Sequence, residues 1–337
     1  MPVNRRFLLV RRPVGTPVPD DFSLVSEETA ELQPGQFLIR NHYASLDPAM
    51  RGWMDDADSY MPPIPLGAAV RASTVGVVEA SRAEGFAPGQ WVMGLNALED
   101  YSIGVAGGFT QPIDAGAVPS VTNYLSILGA VGMTAYFGLL EVCEPQPGDT
   151  VLVSGAAGAV GSLVGQIARI RGCRTIGIAG GPAKCARLLE RYGFDAAIDY
   201  RGKDVAALAA DIRGAAPDGV DVIFENVGGT VLDAGLLNLR NGARIGLCGL
   251  ISEYNTTDAV GARNLWKLIV HRASIRGLLV ADYVPRFGEG AAQMAAWLQA
   301  GKLIADEHVD HGLDNAYAAF MRLFAGTNQG KMILKIA

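Results

Sequence analysis

The chain has little that would hold a metal or a disulfide framework. Its four cysteines, Cys143, Cys173, Cys185 and Cys248, are far apart and form no C-x-x-C pair. They read as buried thiols of a reducing compartment. The four histidines, His42, His271, His308 and His311, complete no zinc-ligand spacing, and the close pair His308 and His311 sits in a charged stretch that reads as solvated surface. No metal site is expected. No apolar run approaches the roughly 18 residues that cross a bilayer, and the start of the chain has too short an apolar core for a signal peptide. A soluble, cytoplasmic protein without membrane contact is expected. Basic residues form no block beyond Arg5-Arg6 and Arg11-Arg12, and the net charge of −6 is interspersed, which argues against nucleic acid as a partner. Internal repeats and low-complexity tracts are missing too.

What remains is half hydrophobic, 18% charged and rich in glycine, with 42 in 337 residues. That length exceeds what one core usually serves, so two domains are expected. Short β-like runs dominate up to about residue 125: Phe7 to Val10, Gln36 to Tyr43, Ala72 to Glu79 and Trp91 to Gly94. Turns such as Pro34-Gly35 and Pro88-Gly89 separate them. Beyond that point strands and helices alternate. A helix from Leu128 to Cys143 is followed by strands at 150–153, 174–179, 196–200, 220–225 and 243–248, a pattern of parallel, doubly wound sheets. The last stretch reads as a helix from Gly288 to Ala300, a strand-like run at 307–309, a helix near 316–324 and a terminal strand from Gly330 to Ile336. That ending is expected to return to the first domain. The fold class is therefore α/β, with a β-rich domain over 1–125 and 305–337 and a nucleotide-binding domain inserted at 126–304.

The most informative stretch is Thr150 to Gly161, a short apolar strand running into Gly155, Gly158 and Gly161 at three-residue spacing. A helical segment follows. Glycines at a strand-to-helix turn let a pyrophosphate approach the backbone, and the N–H groups and dipole of the first helical turn favour the anion. A tight turn in any α/β domain is the alternative, because the spacing is G-x-x-G-x-x-G and not G-x-G-x-x-G. The next strand, Arg174 to Ala179, ends in Gly180-Gly181-Pro182-Ala183-Lys184 with no acid. A carboxylate there would accept the adenosine ribose hydroxyls of NAD; its absence, with Lys184 following, favours the 2′-phosphate of NADP(H). A solvated lysine opening a helix is the other reading of Lys184.

Several separate segments carry a resemblance: Asn4-Arg5-Arg6, Arg12-Pro13-Val14-Gly15, Ser45 to Gly52, Gly132 to Tyr136, Phe224 to Gly229, Cys248 to Asn255 and Asn328 to Lys331. Together they resemble the zinc-independent medium-chain dehydrogenase/reductases, and within them the leukotriene B4 12-hydroxydehydrogenase, 15-oxoprostaglandin 13-reductase and curcumin reductase-like group. The resemblance spans essentially the whole chain. It implies a GroES-like β-rich catalytic domain plus an inserted Rossmann domain, and NADPH-dependent reduction of the C=C bond of an α,β-unsaturated ketone or aldehyde. A quinone reductase of the same superfamily and a non-catalytic NADPH-binding protein are the alternatives.

The resemblance also assigns residues. Tyr254 would donate a hydrogen bond at the nicotinamide end. Gly155, Ala157, Gly158, Ala159, Val160 and Gly180 would line the phosphates; Lys184 and Tyr200, with Arg201 beside them, would hold the 2′-phosphate. Asn226, Cys248, Gly249, Asn328 and Met133 would touch the cofactor elsewhere, with Gly228 in the turn beside Asn226. Tyr60, Ala49, Leu98, Tyr101 and Tyr136 would line the substrate pocket, with Ala49 and Leu98 standing where the family usually has aromatic residues. A homodimer acting on a small-molecule enone or enal is implied.

Overall fold

A computed structural model describes residues 2–337. The chain divides into two units, the residues up to Ser126 together with Glu307–Ala337, and Ile127–Asp306.

The first unit is built on a seven-stranded sheet. Its order is Glu307–His311, Lys331–Lys335, Gln36–Ser45, Arg71–Ser81, Trp91–Ala97 and Gln111–Pro112, with Tyr101–Val105 also pairing Gln36–Ser45. All neighbours are antiparallel except the first two, so the terminal strand runs beside Gln36–Ser45. A separate antiparallel ribbon joins Val3–Leu9 to Phe22–Glu28. Burial alternates along these strands as one-sided packing demands; Phe7, Leu9, Leu46, Met50, Leu98 and Met332 share one core. Gly104 is required by packing: a Cβ there would lie 2.4 Å from the ring of Phe37.

The second unit holds a six-stranded, wholly parallel sheet. In spatial order the strands are Ala196–Asp199, Arg174–Ala179, Thr150–Val153, Val220–Glu225, Leu239–Leu247 and Ser274–Gly277. Numbered along the unit this is 3-2-1-4-5-6, the Rossmann order, in which ligands bind outside the carboxyl ends where the order reverses. The reversal falls between Thr150–Val153 and Val220–Glu225. Val151, Leu152 and Val153 are at most 1% exposed, as expected for a strand covered on both faces. The crossovers include helices Ala159–Ile170, Pro182–Glu190, Val205–Ala215 and Gly229–Leu236.

The expected helix from Leu128 to Cys143 is in two parts. An α-helix spans Ala130–Phe137, and a wider π turn, Gly138–Cys143, follows and closes on left-handed Glu144. Gly138 lets that turn lie against Phe224 and Leu278, where a Cβ would come within 2.9 and 2.3 Å.

Candidate functional site

The glycine turn occupies the carboxyl end of Thr150–Val153. Gly155 has φ +57°, a region that glycine enters without strain. Gly158 caps the helix Ala159–Ile170 with no side-chain acceptor, so the N–H groups of the first turn are not taken up by a cap. Gly161 passes so close to the turn that a Cβ would sit 2.5 Å from the Gly155 carbonyl oxygen, and one on Gly165 would sit 1.9 Å from the Phe194 ring. The three glycines thus serve different needs: backbone conformation at Gly155, an open helix end at Gly158, close packing at Gly161. Ala157 is buried, while Ala159 and Val160 are partly exposed at the helix start.

Sequence reasoning gave no role to Glu225, yet it organises the switch point. Its side chain is 1% exposed, and Oε1 accepts from Ser154 Oγ at 2.8 Å and from the N–H groups of Val227 and Gly228 at 2.7 Å each. Its main-chain carbonyl accepts from Cys248 N–H at 2.8 Å and Gly249 N–H at 3.2 Å. Asn226 completes the knot, donating its N–H to Ser154 Oγ and its side-chain amide to the Ser154 carbonyl, both at 2.7 Å. Burial pushes the Glu225 carboxyl up, and the surrounding donors pull it back. One residue, through its side chain and its carbonyl, therefore ties together the ends of three strands. The signal available in the sequence was an acid directly after the apolar run Val222-Ile223-Phe224 at the strand's end, where nothing but hydrogen bonding makes it tolerable.

At the end of the second strand the arrangement is the opposite. Gly180 and Gly181 bring the backbone under Tyr200 and Arg201: a Cβ on Gly180 would lie 3.1 Å from the Tyr200 hydroxyl, and one on Gly181 3.0 Å from Arg201 Nη1. Asp199 turns back to accept from the N–H groups of Gly181 and Arg201, at 2.8 and 3.0 Å. Burial, then the charge of Arg201, holds Lys184 below its ordinary value. Among the described residues neither Lys184 nor Arg201 forms an ion pair. Two neighbouring cations over a glycine turn, with the nearby Asp199 carboxylate taken up by backbone N–H groups rather than by an ion pair, fit a phosphate.

Tyr254 sits at the other side of the switch point. The segment from Leu250 to Tyr254 docks on the Asn226–Val227 turn, through Ile251 N–H to the Asn226 carbonyl at 3.2 Å and Ser252 N–H to the Val227 carbonyl at 3.0 Å. The Tyr254 hydroxyl accepts from Leu250 N–H at 3.2 Å and lies over Gly249, where a Cβ would come within 2.8 Å of it. Gly249 is thus the residue that makes room for the phenol. The neighbouring Asn255 carries a buried side-chain oxygen with no partner. Cys248 is half-buried, its thiol pushed up to about 12 by burial.

Two of the expected site residues are buried. Met133 is fully buried on the helix Ala130–Phe137, where its sulfur lies so close to Gly290 that a Cβ there would be 2.6 Å away. Leu98 is 1% exposed and packs in the core of the first unit. Its N–H bonds the Val70 carbonyl and its carbonyl accepts from Phe7 N–H, which fixes the residue between two strands. Of the other expected pocket residues, Ala49 and Tyr101 are half-buried and Tyr60 is 55% exposed, all in the first unit. Tyr101 is anchored by its backbone to both side-chain ends of Asn4, at 2.8 Å each. Tyr136 is in the second unit, half-buried beside Phe137 and Trp297. Asn328 is buried and donates to the Gly330 carbonyl at 3.0 Å.

Among the described residues no group of three or more His, Cys, Asp or Glu could hold a metal, and no helix is long and apolar enough to cross a membrane. A family model described as an N-terminal domain of oxidoreductase matches residues 5–112, and one described as a zinc-binding dehydrogenase matches residues 159–300. A putative NADP-dependent oxidoreductase of Bacillus subtilis is 43% identical, covering 99% of this chain and 98% of its own length. An NADPH-dependent curcumin reductase of Escherichia coli is 39% identical over 99% and 97%, and mouse prostaglandin reductase 1 is 34% identical over 95% of each. The crystal structure of CurA from Vibrio vulnificus with NADPH superimposes with a TM-score of 0.93, at 40% identity over 99% of each chain. The chain belongs to the zinc-independent medium-chain dehydrogenase/reductases, in the group of the curcumin and prostaglandin reductases.

Proposed function

We propose that this protein is an NADPH-dependent reductase of the C=C bond of α,β-unsaturated ketones and aldehydes. The observation that carries the reading is the Tyr254 hydroxyl, held over Gly249 next to the glycine turn. The names of the relatives support it: an NADPH-dependent curcumin reductase, an NADP-dependent 2-alkenal reductase and prostaglandin reductases.

The residues fit the dinucleotide. The N–H groups of the first turn after Gly158 would hold the pyrophosphate, and Lys184, Tyr200 and Arg201 the 2′-phosphate. Asn226, Gly228 and Gly249 would form the surface under the nicotinamide, kept in place by Glu225. Bound NADPH supplies a hydride to the β-carbon of the substrate. Negative charge then develops on the carbonyl oxygen, and a preorganised donor aimed at that oxygen lowers the barrier. Tyr254 is read as that donor, its phenol held over Gly249 with the Leu250 N–H bonded to its oxygen.

Tyr254→Phe tests this. Enone turnover should fall by roughly a hundredfold to a thousandfold in kcat, the range for one lost oxyanion donor, with NADPH affinity kept. Unchanged enone turnover removes Tyr254 from the mechanism. Enone turnover lost while quinone turnover persists supports the reading, because a quinone needs no donor aimed at one oxygen. NADPH bound tightly but consumed with no enone, quinone or alkenal favours a binding protein.

The protein is also read as a cytoplasmic homodimer. In support, the edge strand Ser274–Gly277 has a neighbour on one side alone, and Trp266 and Ile269 near it are 64% and 73% exposed. Sedimentation of the purified chain checks the dimer.

A further inference from the structure

Among the described residues one lysine is buried, Lys331, at the first position of the strand Lys331–Lys335. Its side chain is 2% exposed, and an ammonium so far from water needs a partner for each of its protons. It has them. Nζ donates to the Leu46 carbonyl at 2.7 Å and the Met332 carbonyl at 2.8 Å, and stands 3.1 Å from Asp47 Oδ1. Burial pulls the ammonium down, while Asp47, and then Glu307 opposite it on the neighbouring strand, hold it up.

The knot sits where the sheet stops. Strand Gln36–Ser45 pairs with the terminal strand as far as Ser45, opposite Ile333, and the chain then turns off into the short 3-10 helix Pro48–Met54, with Asp47 at its N-cap. Past the ladder, Leu46 N–H still reaches the Met332 carbonyl at 3.1 Å. Lys331 adds the remaining ties: its ammonium joins the Leu46 carbonyl to the Asp47 carboxylate, whose other oxygen accepts from Ser45 Oγ. A side chain continues the work of backbone pairing beyond the last paired residue.

Two of the residues read as lining the substrate pocket depend on that helix. Ala49 lies on it, and Trp53, four residues further on, donates from Nε1 to the Tyr60 hydroxyl at 3.1 Å. The Trp53 carbonyl also accepts from Ile64 N–H at 2.7 Å. A slip at the start of the helix would therefore carry Ala49 and Tyr60 with it.

We propose that Lys331 is a positioning residue for the substrate side of the reaction: through Leu46 and Asp47 it fixes the start of the helix Pro48–Met54 and, with it, Ala49 and Tyr60. The kinetic consequence rests on the enone reading above; the tie itself does not.

Lys331→Met removes the ammonium and keeps most of the bulk. Hydrogen exchange of the whole protein, read by mass spectrometry, should quicken in the peptide spanning 46–55, where the N–H groups of Leu46, Met50 and Asp55 are bonded. The expected factor is at least roughly tenfold, the low end of a charged hydrogen bond expressed as a local opening. Exchange in Arg71–Ser81 and Trp91–Ala97 should stay as it was. Quickening spread alike over the first unit would make Lys331 a brace of the fold at large, and no change at 46–55 would remove it from the helix; either overturns the proposal. In steady state the KM for an enone should rise more than kcat falls, with NADPH affinity little changed. An NADPH affinity that falls while KM holds would put the tie on the Asn328 side and overturn it too. Asp47→Asn, which leaves the ammonium its two carbonyls, should give a smaller shift of the same kind, and the double variant no more than Lys331→Met, because the two act through one contact. Should Lys331→Met not fold, Asp47→Asn carries the test, and unchanged exchange at 46–55 there overturns the proposal. A chain that consumes NADPH with no enone, yet shows the local quickening, fails the enone reading and keeps the tie.

Discussion

Two strand ends in the same sheet are built on opposite principles. Around Glu225 every donor is met: Ser154, Val227 and Gly228 converge on one carboxylate oxygen, and Cys248 and Gly249 on the carbonyl behind it. Around Gly180 and Gly181, a few strands away, Lys184 and Arg201 stand together without an ion pair among the described residues, the Asp199 carboxylate beside them being spent on the N–H groups of Gly181 and Arg201. The first end is complete without a ligand, and so fixes a shape. The second is complete only with an anion, and so confers a preference. A dinucleotide site needs both, because a seat that shifts cannot discriminate and a rigid seat without unmatched charge has nothing to discriminate with.

The sharpest way to break the comparison is Glu225→Ala. It removes the acceptor of three buried donors, each costing about 1 to 3 kcal/mol when stranded. Stability should fall by on the order of 3 kcal/mol or more, read as the urea midpoint, and affinity for NADPH and NADH should fall together. Glu225→Gln keeps an acceptor and should lose less of both. A variant that loses affinity for NADPH alone would mean that Glu225 serves the phosphate end instead.

Lys184→Ala probes the other end. NADPH affinity should drop roughly tenfold to a hundredfold, as loss of a charge-assisted contact to phosphate predicts, with NADH affinity and the urea midpoint little changed. Equal loss for both cofactors would remove the phosphate role. Gly161→Ala is expected between these two in kind: a Cβ 2.5 Å from the Gly155 carbonyl forces the turn to move. That should cost about 1 to 3 kcal/mol of stability as overpacking does, with both cofactors weakened by a similar factor.

Much of this was legible in the sequence, for reasons that show where reading a sequence stops. The run Thr150 to Gly161 and the acid-free strand end before Lys184 are local: strand, turn, cation and the missing carboxylate all lie within a few tens of residues. The helices Val205–Ala215 and Gly229–Leu236 were implied by the strands on either side and went unmarked. The ribbon strand Phe22–Glu28 went unread because it carries more polar than apolar residues, its burial running out after the first position. Glu225 was in plain view within a quoted motif, but its partners Ser154 and Cys248 are 71 and 23 positions away, and a buried acid looks like a solvated one until they are placed. The burial of Leu98 and Met133 was hidden for the same reason in reverse. Both occupy positions of a binding motif, and which way each side chain points is decided by the strands and helices packed against it.

The smallest effect, and the one that separates the two ends most finely, is the dependence of cofactor choice on pH. In the protein without cofactor, burial and Arg201 disfavour the charged form of Lys184, so its pKa in the folded chain lies below its ordinary 10.5. Its charge therefore costs stability at neutral pH, and that cost fades as pH rises through the folded pKa toward the unfolded one. A phosphate between the two cations favours the charged form, so binding NADPH must take up a proton wherever Lys184 has begun to lose its own. The ratio of NADPH to NADH affinity should accordingly climb as the phosphate gains its second charge near pH 6, hold, and decline in alkaline solution at a pH below Lys184's ordinary 10.5. Lys184→Gln should keep the climb and lose the decline, while Glu225→Gln should leave the shape of the curve as it is in the unaltered chain. Fluorescence titrations across that range check this. A decline that survives in Lys184→Gln would place the titrating cation elsewhere and dissolve the contrast between the matched and unmatched ends of the sheet.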